Sequence, residues 1–323
     1  MSERADLLHD TTSEGQTVVL GGGAAGPPAG GDRGEFAVAE RSQWRMAVRR
    51  FFRHRLAAVS IVVFVVFALG AFVVPVFWKW KYNGDPSYDF SVSPSWSHPF
   101  GTDEVGNDEF AFVLRGTQQS LKIALFIALF STGVGSIYGA VSGFYKGWTD
   151  SVLMRFADVV LTLPIYVVAA VLGANVGGGT WWLIGLIVGG LLWAYVARVV
   201  RGTVLSLREK DYVEAARALG ASDWRIISRH LLPNAMGVII VNATVLMATG
   251  ILTETALSFI GFGVQPPDTS LGLLVNTGQT AVFTRPWLFW IPGLFIIVIV
   301  LTVNFIGDGL RDAFDPQQTR VRS

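Results

Sequence analysis

Six stretches of this chain, at about 56–78, 120–144, 152–174, 181–200, 236–260 and 287–306, are each long and apolar enough to cross a bilayer. A hydrocarbon core of ~30 Å takes roughly 20 residues of helix, and within it every backbone N–H and C=O must find its partner inside the segment. These runs commit the chain to an all-α membrane protein with six transmembrane helices. Of 323 residues, 51% are hydrophobic and 15% charged, far less charge than a soluble domain carries. The net charge of +1 leaves no basic field to attract nucleic acid. Cysteine is absent, which excludes disulfides, thiolate metal sites and cysteine nucleophiles.

Charge at the ends of the spans sets their direction, because arginine- and lysine-rich loops stay cytoplasmic. Arg41, Arg45, Arg49, Arg50, Arg53 and Arg55 precede the first span, whereas Asp85, Asp89, Asp103, Glu104, Asp108 and Glu109 follow it. Both termini are therefore expected in the cytoplasm of a multi-pass inner-membrane protein. Lys122 and Arg285 run mildly against that rule. Residues 1–40 are polar and glycine-rich, a composition that cannot bury enough apolar surface to offset the entropy of ordering, so a disordered tail is expected. Gly21, Gly23 and Gly26 match a dinucleotide fingerprint, but Pro27 and Pro28 stand where the phosphate-binding helix should begin. No basic stretch followed by an apolar core stands near residue 1, so no cleavable signal is expected.

Between the fourth and fifth spans lies "DYVEAARALGASDWRIISRHLLPN", residues 211–234. Asp211 with Glu214 has the capping-box spacing, Gly220 is a left-handed helix stop, and Ser222 can cap a second helix that ends before Pro233. On residues alone this is a helical hairpin lying at the membrane surface. It has the outline of a DNA-binding helix-turn-helix, but a module tied at both ends to spans cannot enter a major groove.

The hairpin closely resembles the cytoplasmic loop of ABC-importer permeases: Glu-Ala-Ala, three residues, Gly, nine residues, an apolar position, one residue, then Leu-Pro. Glu214, Ala215, Ala216, Gly220, Leu232 and Pro233 fall at those spacings, with His230 in the apolar position. That histidine is similar to the peptide and nickel branch. "HPFGTDEVGND" (98–108), "TETALSFIGFGVQPPD" (253–268) and "GDGLRDAFDP" (307–316) resemble that branch's C-type subunits. The resemblance implies a type I ABC importer permease fold: an N-terminal helix, first span and extracytoplasmic loop over 41–117, a permease domain over 118–308, and a cytoplasmic C-terminal tail over 309–323. It also implies an importer for oligopeptides or dipeptides, or else for nickel or another small solute. A free-standing channel or a membrane-embedded enzyme is the alternative of another class. The implied partners are a homologous second permease, two cytoplasmic ATPase subunits, an extracytoplasmic binding protein and membrane lipid.

In that family the loop docks in a groove of an ATPase subunit. Glu214, Ala215, Ala216, Arg217, Gly220, Asp223 and Arg225 are then the candidate coupling residues: alanines for close approach, charges for pairing across the contact. The chain has no G-x-x-x-x-G-K-[ST], so ATP and Mg belong to the partners and no cofactor is expected on this chain. His9, His54, His98 and His230 all lie outside the spans, and no H-E-x-x-H or G-x-S-x-G occurs, which argues against catalysis.

Three features remain. Gly135, Gly139 and Gly143, with Gly185 and Gly189, recur every fourth residue, as helices in close contact require; a wall of the translocation path is the other reading. Arg155 and Asp158 can pair on one helical face in the third span, ahead of a kink at Pro164. Glu254 lies within the fifth span, where a carboxylate costs about 2.5–3.5 kcal/mol. It can line the pathway, bond across a subunit interface, or snorkel to the membrane surface.

Orientation is testable because the chain has no cysteine of its own. Ser97→Cys should react with an impermeant thiol reagent in intact cells, and Ser222→Cys only after lysis. Outside labelling of Ser222→Cys would overturn both the topology and the hairpin's place in the cytoplasm.

Overall fold

The computed structural model describes residues 43–175 and 179–314. The glycine-rich tail, His9 and residues 315–323 lie outside the described residues. The elements are α1 (Gln43–Arg53), α2 (Arg55–Phe77), α3 (Glu109–Tyr145), α4 (Gly147–Thr162), α5 (Ile165–Asn175), α6 (Trp181–Leu207), α7 (Asp211–Ala218), α8 (Asp223–Ile226), α9 (Leu232–Phe259), α10 (Leu271–Gly278) and α11 (Trp287–Phe314). Five helices are long and apolar enough to cross a membrane, and the pair α4–α5 makes a sixth, broken crossing bent by 80°. Leu163 takes the extended conformation at the break, as the residue before a proline prefers, and Pro164 has no N–H with which to continue α4.

α3 and α6 form the centre of the fold. A β-carbon on Gly135 would lie 2.5 Å from the Trp193 carbonyl, one on Gly139 would collide with the Ala197 carbonyl, and one on Gly143 would come within 2.9 Å of the Arg201 carbonyl. Backbone thus touches backbone over three turns, and the glycine stripe serves packing. Residue numbers rise together on both sides of this contact, so α3 and α6 run parallel. The chain must cross back between them, and only α4–α5 can do so. By contrast Gly250 of α9 packs on Ile127 and Glu254 bonds Ser120, which makes α9 antiparallel to α3. Gly307 faces Thr244, and Gly237 faces Phe314, so α11 runs antiparallel to α9. Six crossings result, with α1, the 211–226 hairpin and the end of α11 on one side of the bundle.

α3 starts eleven residues earlier than the apolar run that announced it, at Glu109 rather than 120. Arg115 and Gln118 in its first turns bond within the protein. Arg115 makes a two-pronged contact with Asp268, Nε to Oδ1 at 2.8 Å and Nη2 to Oδ2 at 3.0 Å, and Gln118 donates to the Ala71 carbonyl at 2.6 Å. Asp108 caps the helix by accepting from the Ala111 N–H at 3.0 Å. Buried His98 holds that carboxylate, with Nδ1 2.8 Å from Asp108 Oδ1, so the 98–108 motif is a structural clasp. The expected boundaries at 117/118 and 308/309 both fall inside continuous helices, α3 and α11.

Glu254 does not reach the membrane surface: it is 0% exposed within this one chain. Ser120 Oγ of α3 donates to Oε2 at 2.9 Å, and Ser258 Oγ donates to Oε1 at 2.7 Å. Ser258 Oγ in turn accepts from the Val264 N–H and from Ser270 Oγ, which caps α10. The carboxyl is the hub of a polar knot joining α3, α9 and α10.

Two consequences can be measured by thermal unfolding of the purified complex. Gly139→Val should prevent the α3–α6 contact or lower stability by at least about 1–3 kcal/mol, whereas Gly190→Ala, with no heavy atom within 4 Å of the added carbon, should be neutral. Glu254→Ala, which strands two hydroxyls, should cost about 1–3 kcal/mol. Glu254→Gln should stay close to wild type, because serine hydroxyls can rotate to accept from the amide. Loss of uptake in Glu254→Gln at unchanged stability would assign it a pathway role.

Candidate functional site at the charged hairpin

α7 begins one residue earlier than the capping-box spacing suggests. Lys210 is the N-cap and makes no side-chain cap bond, while Asp211 and Glu214 sit in the first turn, where negative charge offsets the helix dipole. The C-terminus ends as expected at Gly220, with φ +78°. The Gly220 N–H donates to the Arg217 carbonyl at 2.9 Å and the Ala221 N–H to the Ala216 carbonyl at 3.0 Å, the paired bonds of a Schellman stop. Ser222 is the N-cap of α8, again without a side-chain bond.

The second helix does not end before Pro233. From Asp223 the chain stays helical to Phe259, passing through a π-helical turn at Ile227–Leu231. The Leu232 N–H reaches back five residues to the Ile227 carbonyl, and this wider turn makes room for a ring that an α-helical interior would reject. α8 is therefore rigidly continuous with the span that carries Glu254.

The hairpin has a buried and an exposed face. Val213, Ala216, Ile226, Ile227 and Leu231 pack with Ala140 and Phe144 of α3 and Val200 and Val204 of α6. Of the two alanines expected at the partner contact, Ala216 faces inward and Ala215 is exposed, as is Ala218 beyond them. Glu214, Asp223 and Arg225 are exposed, and their side chains make no hydrogen bond or ion pair among the described residues. Arg217 is engaged at home, its guanidinium 5.2 Å from the Phe144 ring centroid. His230 lies half-buried with its ring 6.5 Å from that of Tyr212, which gives the apolar position an aromatic filling.

Several bonds fix the hairpin to the bundle. Arg208 donates to the Phe144 carbonyl at the C-terminal end of α3, where positive charge is favoured. Lys146 Nζ donates to Glu209 Oε1 at 2.7 Å and holds that carboxyl below its usual range. Two turns back along α6, Arg201 grips Asp150 of α4 with two bonds of 2.5 Å, and Ser142 of α3 donates to the same carboxylate. Arg155 and Asp158 do not pair. Asp158 accepts from Arg198 of α6 at 2.6 Å, and Arg155 is exposed, because the short α4 lies against α6 and a cross-helix partner is nearer than its own neighbour.

Two residues absent from the sequence reading dominate the exposed tip: Leu219, 89% exposed, and Trp224, 59% exposed. They flank the Gly220 turn, left largely uncovered by the described residues. The available signal was an apolar residue on each side of a glycine stop within an otherwise charged stretch. Exposed apolar side chains ringed by unpaired charges form the profile of a docking surface.

Residues 135–320 match the family described as "Binding-protein-dependent transport system inner membrane component", and residues 42–94 match "N-terminal TM domain of oligopeptide transport permease C". "Oligopeptide transport system permease protein OppC" of Mycobacterium tuberculosis is 36% identical over 285 residues, covering 87% of this chain and 97% of the relative. The protein of that name from Haemophilus influenzae is 36% identical over 285 residues, covering 88% and 91%. A solved structure of the MetNI methionine ABC transporter, in an inward-facing conformation, has TM-score 0.51 at 18% identity, over 63% of this chain and 97% of that one, and shares the fold. With more than half its length inside the family match and an oligopeptide permease C domain ahead of it, the chain belongs to the inner-membrane permeases of binding-protein-dependent ABC importers.

Proposed function

We propose that this chain forms one half of the translocation pathway of an ATP-driven peptide importer, and that the 211–226 hairpin couples the pathway to an ATPase subunit. The other half is a homologous permease, a second ATPase serves that partner, and an extracytoplasmic binding protein delivers the substrate. Peptide is favoured over nickel or another small solute by the names of relatives that share nearly the whole chain. ATP and Mg act on the ATPase subunits, since this sequence has no phosphate-cradling loop. The chain lies in the inner membrane with the hairpin, α1 and the end of α11 facing the cytoplasm.

The observation that carries this reading is the exposed Leu219–Trp224 tip on an otherwise anchored hairpin. An apolar tip entering a groove supplies affinity, and Glu214, Asp223 and Arg225 around it supply register. α8 continues without a flexible joint into α9, and Arg208 and Lys146 tie the hairpin base to α3. Movement of the docked tip is thus transmitted to three spans as one body. Closure of the ATPases draws the two hairpins together and rocks the spans outward, and hydrolysis releases them.

Leu219→Asp places a charge in the groove, Glu214→Lys reverses a charge at its rim, and Gly220→Val forces a β-branched residue into a left-handed conformation that costs roughly 1–2 kcal/mol. Each variant should reach the membrane at normal abundance, since Leu219 and Glu214 are exposed and space around Gly220 is open. Uptake of a labelled oligopeptide and co-purification of the ATPase should fall by at least about tenfold, as loss of ~1.4 kcal/mol of docking energy requires. Near-normal uptake in all three, with ATPase still bound, would reduce the hairpin to a surface ornament.

A further inference from the structure

The arginines before the first span do more than orientation demands. A positive-inside signal needs charge within about 15–20 residues of the span, without regard to the conformation that carries it. Here the charges stand on a helix of their own, α1, separated from α2 by His54 alone, whose side chain caps α2 by accepting from the Ala57 N–H at 3.2 Å. Because α2 begins crossing at that point, α1 sits at headgroup depth.

One strip of α1 holds it to the bundle. Phe51 is 5% exposed and packs with Ala57 and Ala313; a β-carbon on Gly309 would lie 3.1 Å from its ring. The next strip round the helix is free. Val48 and Phe52, four residues apart and so on one face, are 52% and 60% exposed. Arg49 and Arg53, also four apart and one step further round, are exposed and make no ion pair among the described residues. The nearby carboxylate of Asp312 lies 3.8 Å from His54 instead. An apolar ridge beside a line of unpaired guanidiniums, at the mouth of a span, matches the boundary between acyl chains and phosphates.

We propose that α1 is a binding surface for anionic phospholipid in the leaflet on the hairpin side: Val48 and Phe52 enter the acyl region, and Arg49 and Arg53 engage phosphate oxygens. Guanidinium suits phosphate because its planar fork donates two parallel bonds. Through Phe51 the bound lipid steadies the ends of α2 and α11, so α1 samples the charge of the membrane it lies in. Each arginine at an anionic surface strengthens the contact about fivefold, so losing two lowers the docked fraction relative to the undocked on the order of 25-fold.

The test uses the full complex in nanodiscs of phosphatidylcholine with a rising fraction of phosphatidylglycerol. Phe52→Cys, the sole cysteine of the chain, carries an environment-sensitive fluorophore. The expected result is a blue shift, and quenching by lipids with a quencher in the acyl chain, that both grow with phosphatidylglycerol and weaken with salt. Arg49→Gln with Arg53→Gln should abolish the dependence on phosphatidylglycerol, while Arg41, Arg45, Arg50 and Arg55 retain the orienting charge. Lysine at both positions should restore most of it, which separates charge from misfolding. A signal indifferent to lipid charge overturns the proposal, and so does one that is lost when the ATPase subunits are stripped from the complex at constant lipid composition, which would mean that protein covers this face. Neither outcome bears on the coupling hairpin, whose variants leave α1 intact.

Discussion

The backbone contact between α3 and α6 is the constraint from which the architecture follows. In a bilayer the spans gain little by hiding apolar surface from lipid that is equally apolar, so close packing and internal polar bonds must hold them together. Gly135, Gly139 and Gly143 remove the side chains that would keep the two helices apart, and the Trp193, Ala197 and Arg201 carbonyls occupy the space. Because the contact is parallel, a return crossing between the two helices becomes obligatory. α4 and α5 make that crossing despite the break at Leu163–Pro164, with α4 held to α6 by Arg201–Asp150 and Arg198–Asp158.

The same contact places the hairpin. α3 and α6 end on one side, so the segment leaving α6 emerges beside the free carbonyls at the end of α3. Arg208 satisfies one of them, Lys146 takes Glu209, and Phe144 lies under Arg217. A short charged hairpin that would be marginal alone thereby acquires a rigid base. Its inner face completes a core with the two spans, and its apolar tip stays uncovered. Stability at the base and unsatisfied surface at the tip are what a mechanical link requires.

Polar groups within the spans perform joinery. Glu254 with three serines binds α3, α9 and α10, Arg115 with Asp268 locks the start of α3 to the loop before α10, and His98 with Asp108 fastens the cap of α3. Arg115 and Glu254 are satisfied by partners more than 130 residues away, and His98 by one ten residues on. At depth an unsatisfied group costs more than in water, so each such pair strongly selects one arrangement of helices.

The sequence by itself determined what depends on local composition and periodicity. The apolar runs placed the six crossings, Gly220 stood where a left-handed stop is needed, Pro164 marked the break in the third crossing, and the every-fourth-residue glycines signalled close helix contact. Tertiary structure alone decided what depends on partners far along the chain. α3 extends back to Glu109 because Asp268, some 150 residues away, satisfies Arg115. Asp158 turns to Arg198 because α6 lies beside α4, and Ala216 faces inward while Leu219 and Trp224 face out. Pro233 continues a helix because a π turn widens ahead of it. Glu254 is the clearest case: its sequence fixes a carboxylate at membrane depth, but only the meeting of α3, α9 and α10 makes that carboxylate a buried, fully bonded hub.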